Sequence, residues 1–291
     1  MSYAFIAAHQ GAFPVNRMCA VLDVSTSGYY DWRNRPPSQR QQANKTLLTA
    51  IQREHQTSRK TYGSPRIHAA LRQQGWQIGR NRVARLMQNN GIVGQMSRRK
   101  RPVTTQRTPG ALAAPNLLAQ DFTASRPDEI WLADITYIDT AEGWLYLALV
   151  MDLFSRTIVG WSMADHMPAE LVEQALLMAL GRRRPTDDLL HHSDRGSQYT
   201  SVLVRTLLAA QGIQVSMSGV GNCYDNAPME SFIGKLKSEC VTYQFASHTE
   251  ARQVIFEHIE AWYNRQRLHS SLGYRSPAAF ERHFYETITV R

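Results

Sequence analysis

Asp134 stands in the middle of Trp131-Leu132-Ala133-Asp134-Ile135-Thr136-Tyr137-Ile138, a β-rich run whose alternation puts it on the same strand face as Leu132 and Thr136. A carboxylate in mid-strand is costly to bury unless it is paired or binds metal. Two further acids sit at comparable places. Asp194, within His191-His192-Ser193-Asp194-Arg195-Gly196-Ser197-Gln198-Tyr199, follows the short apolar run Leu189-Leu190, where a strand would stop. Glu230 follows Asn226-Ala227-Pro228-Met229, which reads as a helix start. The first two are 60 positions apart, and 35 residues lie between the second and third. Acids so separated converge only through the fold, and three together repel one another unless divalent cations sit between them. The set points to metal-dependent phosphoryl transfer. Taken singly, Asp134 reads equally as a buried acid paired with an arginine, and Asp194 as a turn former before Gly196.

Glu230 carries a further local argument. Asp225 or Asn226 is a good N-cap, Pro228 is harmless in a first turn, and the helix dipole then favours a carboxylate at 230. Lys237 lies seven residues on, two turns along the same face and roughly 10.5 Å away, while Phe232, Leu236 and Cys240 form another, apolar stripe. His191, His192 and His269 are expected to pack or to support the site, because hard cations prefer oxygen.

Charge divides the chain. Residues 1–110 hold 18 Lys and Arg against three acids, and the remainder holds 15 against 21. Such an asymmetry suggests a part that binds polyanion and a part that does chemistry. The pattern predicts a helix-turn-helix-like segment over 1–37, with Val15, Met18, Cys19 and Leu22 on one helical face and Ser25 or Ser27 capping the next helix. A helical DNA-binding unit of helix-turn-helix type is expected over 38–95. Its last helix turns Val83, Leu86 and Met87 inward and shows Arg80, Arg82 and Arg85 outward, as a groove reader requires. A basic linker over 96–115 opens with Arg98-Arg99-Lys100-Arg101, suited to tracking phosphates. The body over 116–280 reads as α/β: strands near 130–139, 145–154 and 157–163, a helix over 169–183, strands at 189–192 and 213–218 around a helix over 202–211. Residues 281–291 read as a tail. Three cysteines without a CxxC pair indicate neither a disulfide framework nor a cysteine zinc site. No apolar run is long enough for a membrane span, and a cytoplasmic protein is expected.

The motifs Trp131-x-x-Asp134-Ile-Thr, Phe154-Ser155-Arg156, His192-Ser193-Asp194-x-Gly196-x-Gln198-Tyr199, Gly221-Asn222-Cys223-x-Asp225-Asn226-Ala227-x-x-Glu230-Ser231-Phe232 and Tyr263-Asn264-x-x-Arg267-x-His269-Ser270-x-Leu272-Gly273-Tyr274-x-Ser276-Pro277 occur in this order. Together they resemble the integrase-type transposases of the insertion-sequence-3 family, in particular the product of that family's second reading frame. The resemblance runs from about Val15 to the C-terminus. It implies a ribonuclease-H-like, retroviral-integrase-like core preceded by small all-α helix-turn-helix units. It also implies a catalytic triad of Asp134, Asp194 and Glu230 holding two Mg²⁺ or Mn²⁺ ions, with Lys237 as a DNA-contacting residue. The expected reaction is metal-dependent cleavage of insertion-element ends and strand transfer, with no covalent protein–DNA intermediate.

The partners so implied are the terminal inverted repeats and target DNA, further copies of the chain on DNA, and the upstream-frame protein or its frameshift fusion. Nothing in the sequence supplies the His/Cys zinc domain of retroviral integrases or the upstream frame's leucine zipper. A non-catalytic DNA-binding regulator that needs an upstream-frame partner is therefore the alternative.

Overall fold

The computed structural model describes residues 2–95, 114–185, 188–219 and 223–289. The chain forms two compact units that divide between Arg53 and Glu54. In the first, α1 (Ser2–His9), α2 (Val15–Val21) and α3 (Thr26–Asn34) enclose Ile6, Met18, Cys19 and Tyr29. Ser25 caps α3, its side chain accepting from the Gly28 amide at 2.9 Å. The next helix, α4 (Gln39–Thr57), carries the division.

The second unit opens with α5 (Ser64–Gln73) and α6 (Arg80–Asn89). Pro65 sits in the first turn of α5, Gly75 takes a positive φ in the connection, and Ile67, Ala70, Leu71, Val83 and Met87 are buried. Arg98–Arg101 lie outside the described residues.

The body is a five-stranded mixed sheet in the order β3-β2-β1-β4-β5: β1 (Ile130–Thr140), β2 (Gly143–Asp152), β3 (Ile158–Ala164), β4 (Leu190–Ser193) and β5 (Gln214–Met217). The first three strands pair antiparallel, while β4 runs parallel to β1 and β5 parallel to β4. Helix α7 (Ala169–Arg183) follows β3. A one-turn helix α8 (Ser197–Thr200) and α9 (Val202–Ala210) stand between β4 and β5. Beyond the sheet lie α10 (Ala227–Glu239), α11 (His248–Phe256), a π-helical stretch Glu257–Tyr263 and α12 (Pro277–Thr289). This is the ribonuclease-H-like arrangement.

Alternation along β1 divides two cores. Trp131 and Ala133 pack with Val172, Leu176 and Leu208 of α7 and α9. Leu132 and Ile138 pack with Phe232, Leu236, Ile255 and Ile259 of α10, α11 and the π-helical stretch. Asp134 shares the second face. The last loops return to α5. Tyr62 Oη accepts from the Leu268 amide at 2.6 Å, Arg66 Nε donates to the Leu268 carbonyl at 3.0 Å, and Gln73 Nε2 donates to the Tyr274 carbonyl at 2.8 Å.

Candidate active site

The parallel register pairs Trp131 with His191 and Leu132 with His192. Extended by two residues, that register carries Asp194, just past the end of β4, toward Asp134 in mid-β1, and the charge of Asp194 acts on Asp134. Two acids distant in sequence thus come within electrostatic reach of each other. Asp134 Oδ1 accepts from the Ile135 amide at 2.8 Å, and Asp194 Oδ1 from the Gly196 amide at 2.9 Å.

Glu230 stands in the first turn of α10 and is exposed. That helix is located by Asn226, whose Nδ2 donates to the Ala133 carbonyl, one residue before Asp134, at 3.0 Å. The sequence suggested Asn226 as a side-chain cap. It makes no capping bond, because the side chain is committed to β1 instead. Asp225, buried beside it, accepts from Asn116 Nδ2 and Gln120 Nε2, both at 2.9 Å, and from the Gly219 amide at 2.6 Å.

Burial, and after it the nearby Asp194 charge, push the Asp134 carboxyl up to about 8, with the Ile135 amide opposing, Glu230 adding to the rise and Lys237 lowering it. All three acids and Lys237 therefore act within one electrostatic neighbourhood. Among the described residues, no three His, Cys, Asp or Glu side chains stand close enough together to hold an ion as they are. The donor chemistry nonetheless fits a hard divalent cation: carboxylate oxygens whose mutual repulsion such an ion would relieve.

Lys237 is half-buried, with Nζ 4.4 Å from the centre of the Tyr137 ring. Burial lowers its pKa and Asp134 raises it. Tyr199 is buried, and its hydroxyl has no partner among the described residues. Burial, then Asp134 and Asp194, raise that hydroxyl's pKa well above the usual range, so it stays protonated. His192 is packed between hydroxyls, Nδ1 at 2.8 Å from Ser216 Oγ and Nε2 at 3.2 Å from Ser218 Oγ. Arg80 and Arg85 are exposed on α6, and Arg82 is half-buried.

Sequence reasoning missed two supporting groups. Asp152, fully buried at the end of β2, accepts from the Ser155 amide at 2.8 Å, from Ser155 Oγ at 2.5 Å and from the Asp128 amide at 2.9 Å. The other is a buried ion pair of Arg267 with Glu239 at the end of α10. The motif residues Ser155 and Arg267 were the available signals.

Comparison with known proteins bears on this site. A family model described as an integrase core domain matches residues 124–223, a second integrase core model matches 211–277, and an HTH-like domain model matches 41–101. The chain thus joins a helix-turn-helix-like unit to an integrase-type polynucleotidyl-transferase core. It is 46% identical over 270 residues to the insertion element IS600 uncharacterized 31 kDa protein of Shigella sonnei, covering 92% of this chain and 99% of that protein. It is 43% identical over 284 residues to the transposase InsF for insertion sequence IS3A of Escherichia coli strain K12, covering 97% and 98%. The chain belongs to the IS3-family transposases. A solved HTLV-2 integrase catalytic core in complex with magnesium is similar with a TM-score of 0.41 at 14% identity, covering 55% of this chain and 99% of that one. No helix among the described residues is long and apolar enough to cross a membrane.

Proposed function

We propose that this transposase cleaves the ends of its insertion element and joins them to target DNA at a site built from Asp134, Asp194 and Glu230, with two Mg²⁺ or Mn²⁺ ions. The observation that carries the reading is the buried Asp134 with the charge of Asp194 beside it. A carboxyl pushed to about 8 by burial and by its neighbours' charges is costly to keep ionised unless positive charge arrives. When bound, the cations supply Lewis-acid stabilisation of the attacking and leaving oxygens.

The chain's own residues supply the frame. The register of β1 with β4 carries Asp194 toward Asp134, Asn226 ties the start of α10 to β1, and α10 carries Glu230 and Lys237, whose charges reach Asp134. Lys237 contacts the phosphate of the bound strand from its seat over Tyr137. No side chain is needed as a nucleophile, and the protonated Tyr199 hydroxyl is a poor one, so no covalent protein–DNA intermediate forms. Arg80, Arg82 and Arg85 on α6, together with Arg98, Arg99, Lys100 and Arg101, contribute to holding the DNA.

The test compares the wild-type chain with Asp134→Asn, Asp194→Asn and Glu230→Gln on a labelled element-end duplex with Mn²⁺. Each variant is expected to lose at least roughly 10²–10³ in the rate of nicking and joining, on the scale of other removed charge-stabilising groups, while binding the duplex as before. A variant that still joins at near wild-type rate would remove its residue from the site.

A further inference from the structure

On the flank of α10 turned away from the three acids lies a second concentration of charge, and it is positive. Arg267, 1% exposed, forms a bidentate pair with Glu239, with Nε at 2.7 Å from Oε2 and Nη2 on Oε1. Its remaining nitrogen, Nη1, is buried with no hydrogen-bond partner among the described residues. Lys235 lies one turn before Glu239 on the same helix and donates to Ser231 Oγ at 2.8 Å. Arg66 arrives from α5: its bond to the Leu268 carbonyl places it next to Arg267, with its guanidinium carbon 5.7 Å from the Tyr62 ring centre.

Arg156 comes from the turn between β2 and β3, where it has a φ of 61°. The turn is held against the same C-terminal segment by Asn264, which accepts from the Ile158 amide at 2.9 Å and donates to the Ile158 carbonyl at 3.0 Å. Its Nη2 reaches the Phe122 carbonyl at 3.4 Å, while Nη1 is buried and, among the described residues, unpartnered. His269 borders the group and bonds Ser271 Oγ through Nδ1 at 2.8 Å.

The carboxylates nearby are already engaged, Glu239 with Arg267 and Asp152 with Ser155 and Asp128. The electrostatics agree with the geometry. Burial and then its cationic neighbours push Lys235 down to about 8, and burial and then Lys235 push His269 to about 3, so that histidine is neutral. Burial also lowers Arg66 and Arg156.

Arg66, Lys235 and Arg267 share the one buried acid Glu239, and Arg156 adds its charge beside Lys235. Like charges gathered in this way cost the fold free energy unless an anion approaches from the side that Arg66, Arg156 and Lys235 leave partly exposed. Arginine forks of this kind match phosphate oxygens. We propose that the partly exposed Arg66, Arg156 and Lys235, backed by the buried charge of Arg267, bind a backbone phosphate of duplex DNA in a stretch that does not react. Lys235 is five residues from Glu230, about 140° around α10, so this phosphate lies on another side of the helix from the acids. The site draws its contacting cations from the helix-turn-helix-like unit and the core, and its backing charge from the C-terminal segment. DNA seated there is held to the first two together. The inference rests on DNA being the substrate.

The experiment is equilibrium binding of the full chain to a fluorescent duplex of arbitrary sequence in EDTA, across a sodium chloride series. Cleavage is not read, so a failure of the three-acid reading leaves the result interpretable. Lys235→Gln is expected to fold normally and to bind roughly tenfold more weakly near 0.1 M salt. Its plot of log affinity against log salt should be shallower by about 0.9, the value of one lost phosphate contact. Lys235→Arg should keep both the affinity and the slope, and Arg156→Gln should repeat the Lys235→Gln result. Unchanged affinity and slope in Lys235→Gln would overturn the proposal. The same holds if inorganic phosphate raises the melting temperature of the wild type while duplex binding ignores the substitution, since the pocket would then serve a free anion.

Discussion

Asn226 is the residue on which the position of Glu230 depends most directly. Its bond to the Ala133 carbonyl ties the first turn of α10 to the strand position just before Asp134. Asn226→Ala is expected to cost about 1 kcal/mol through the lost bond and the orphaned carbonyl, a fall in Tm of about 2–4 °C. The rate of Mn²⁺-dependent nicking should fall at least tenfold with duplex affinity unchanged, because a small displacement of a reacting group is expensive. Nicking at the wild-type rate in a variant that melts lower would reduce Asn226 to a packing residue. Asp134 and Glu230 were legible because an acid in mid-strand and an acid in a helix's first turn each break or satisfy a local rule. Asn226 was not, since an asparagine before a helix reads as a cap whichever way its side chain turns. Asp152 was hidden for a related reason: it ends a strand, and of its partners only the Ser155 hydroxyl belongs to a motif, while the amides of Ser155 and Asp128 show in no sequence pattern.

Among the elements, β3 raises the question of how a sheet edge is closed. Its outer side meets the C-terminal helices through Asn264 on both polar atoms of Ile158, Trp161 Nε1 donating to Glu260 at 2.8 Å, and Arg252 donating to the Met163 carbonyl at 2.5 Å. An asparagine amide here does the work of a sixth strand at one position. Asn264→Ala leaves a buried amide and carbonyl without partners and is expected to destabilise the protein by about 1–3 kcal/mol, measurable as a lower urea midpoint with unchanged m-value. No shift in that midpoint would mean that water replaces the asparagine and that the edge is open. On the face of β3 toward α7, a Cβ on Gly160 would come within 2.1 Å of the Ala175 carbonyl oxygen, so α7 lies against the strand only because glycine is there. Alternation and helical period made the strands and long helices readable. The four-residue α8 escaped because one turn carries no period, and the π-helical stretch because its spacing departs from 3.6. Strand order, which brings Asp194 to Asp134, is set by pairing across the chain and came from the family resemblance.

For the molecule as a whole, buried ionisable groups set the acid side of the stability profile. Burial holds His191 and His258 at about 4, and His269 lies at about 3. Against an unfolded value of about 6.5, each binds a proton in the unfolded chain before it does so in the native one, so stability falls as pH drops below that value. Asp134, at about 8, and Asp152, at about 6, act in the opposite sense, since the native state protonates them first. Three histidines against two acids leave a net loss of roughly 1.4 kcal/mol per pH unit between pH 6 and 4, and His192, which burial also lowers, adds to it. Melting in EDTA at pH 7, 6, 5 and 4 should show Tm highest near pH 6–7 and falling below it. A Tm that rises steadily down to pH 4 would mean that the histidines are hydrated.

The bonds between α5 and the C-terminal loops also set a schedule for synthesis. Tyr62 and Leu268 are 206 residues apart, as Arg66 and Leu268 are 202 and Gln73 and Tyr274 are 201. At about 5–20 residues per second, a ribosome takes on the order of 10–40 s to travel that distance. During that interval α5 has left the tunnel without the partners that anchor it, and the strands that carry Asp134 and lead to Asp194 are made before the anchors are. The helix-turn-helix-like unit therefore reaches its finished form after the sheet has been synthesised, and translation that stops short of Leu268 releases a protein whose α5 has none of these three attachments.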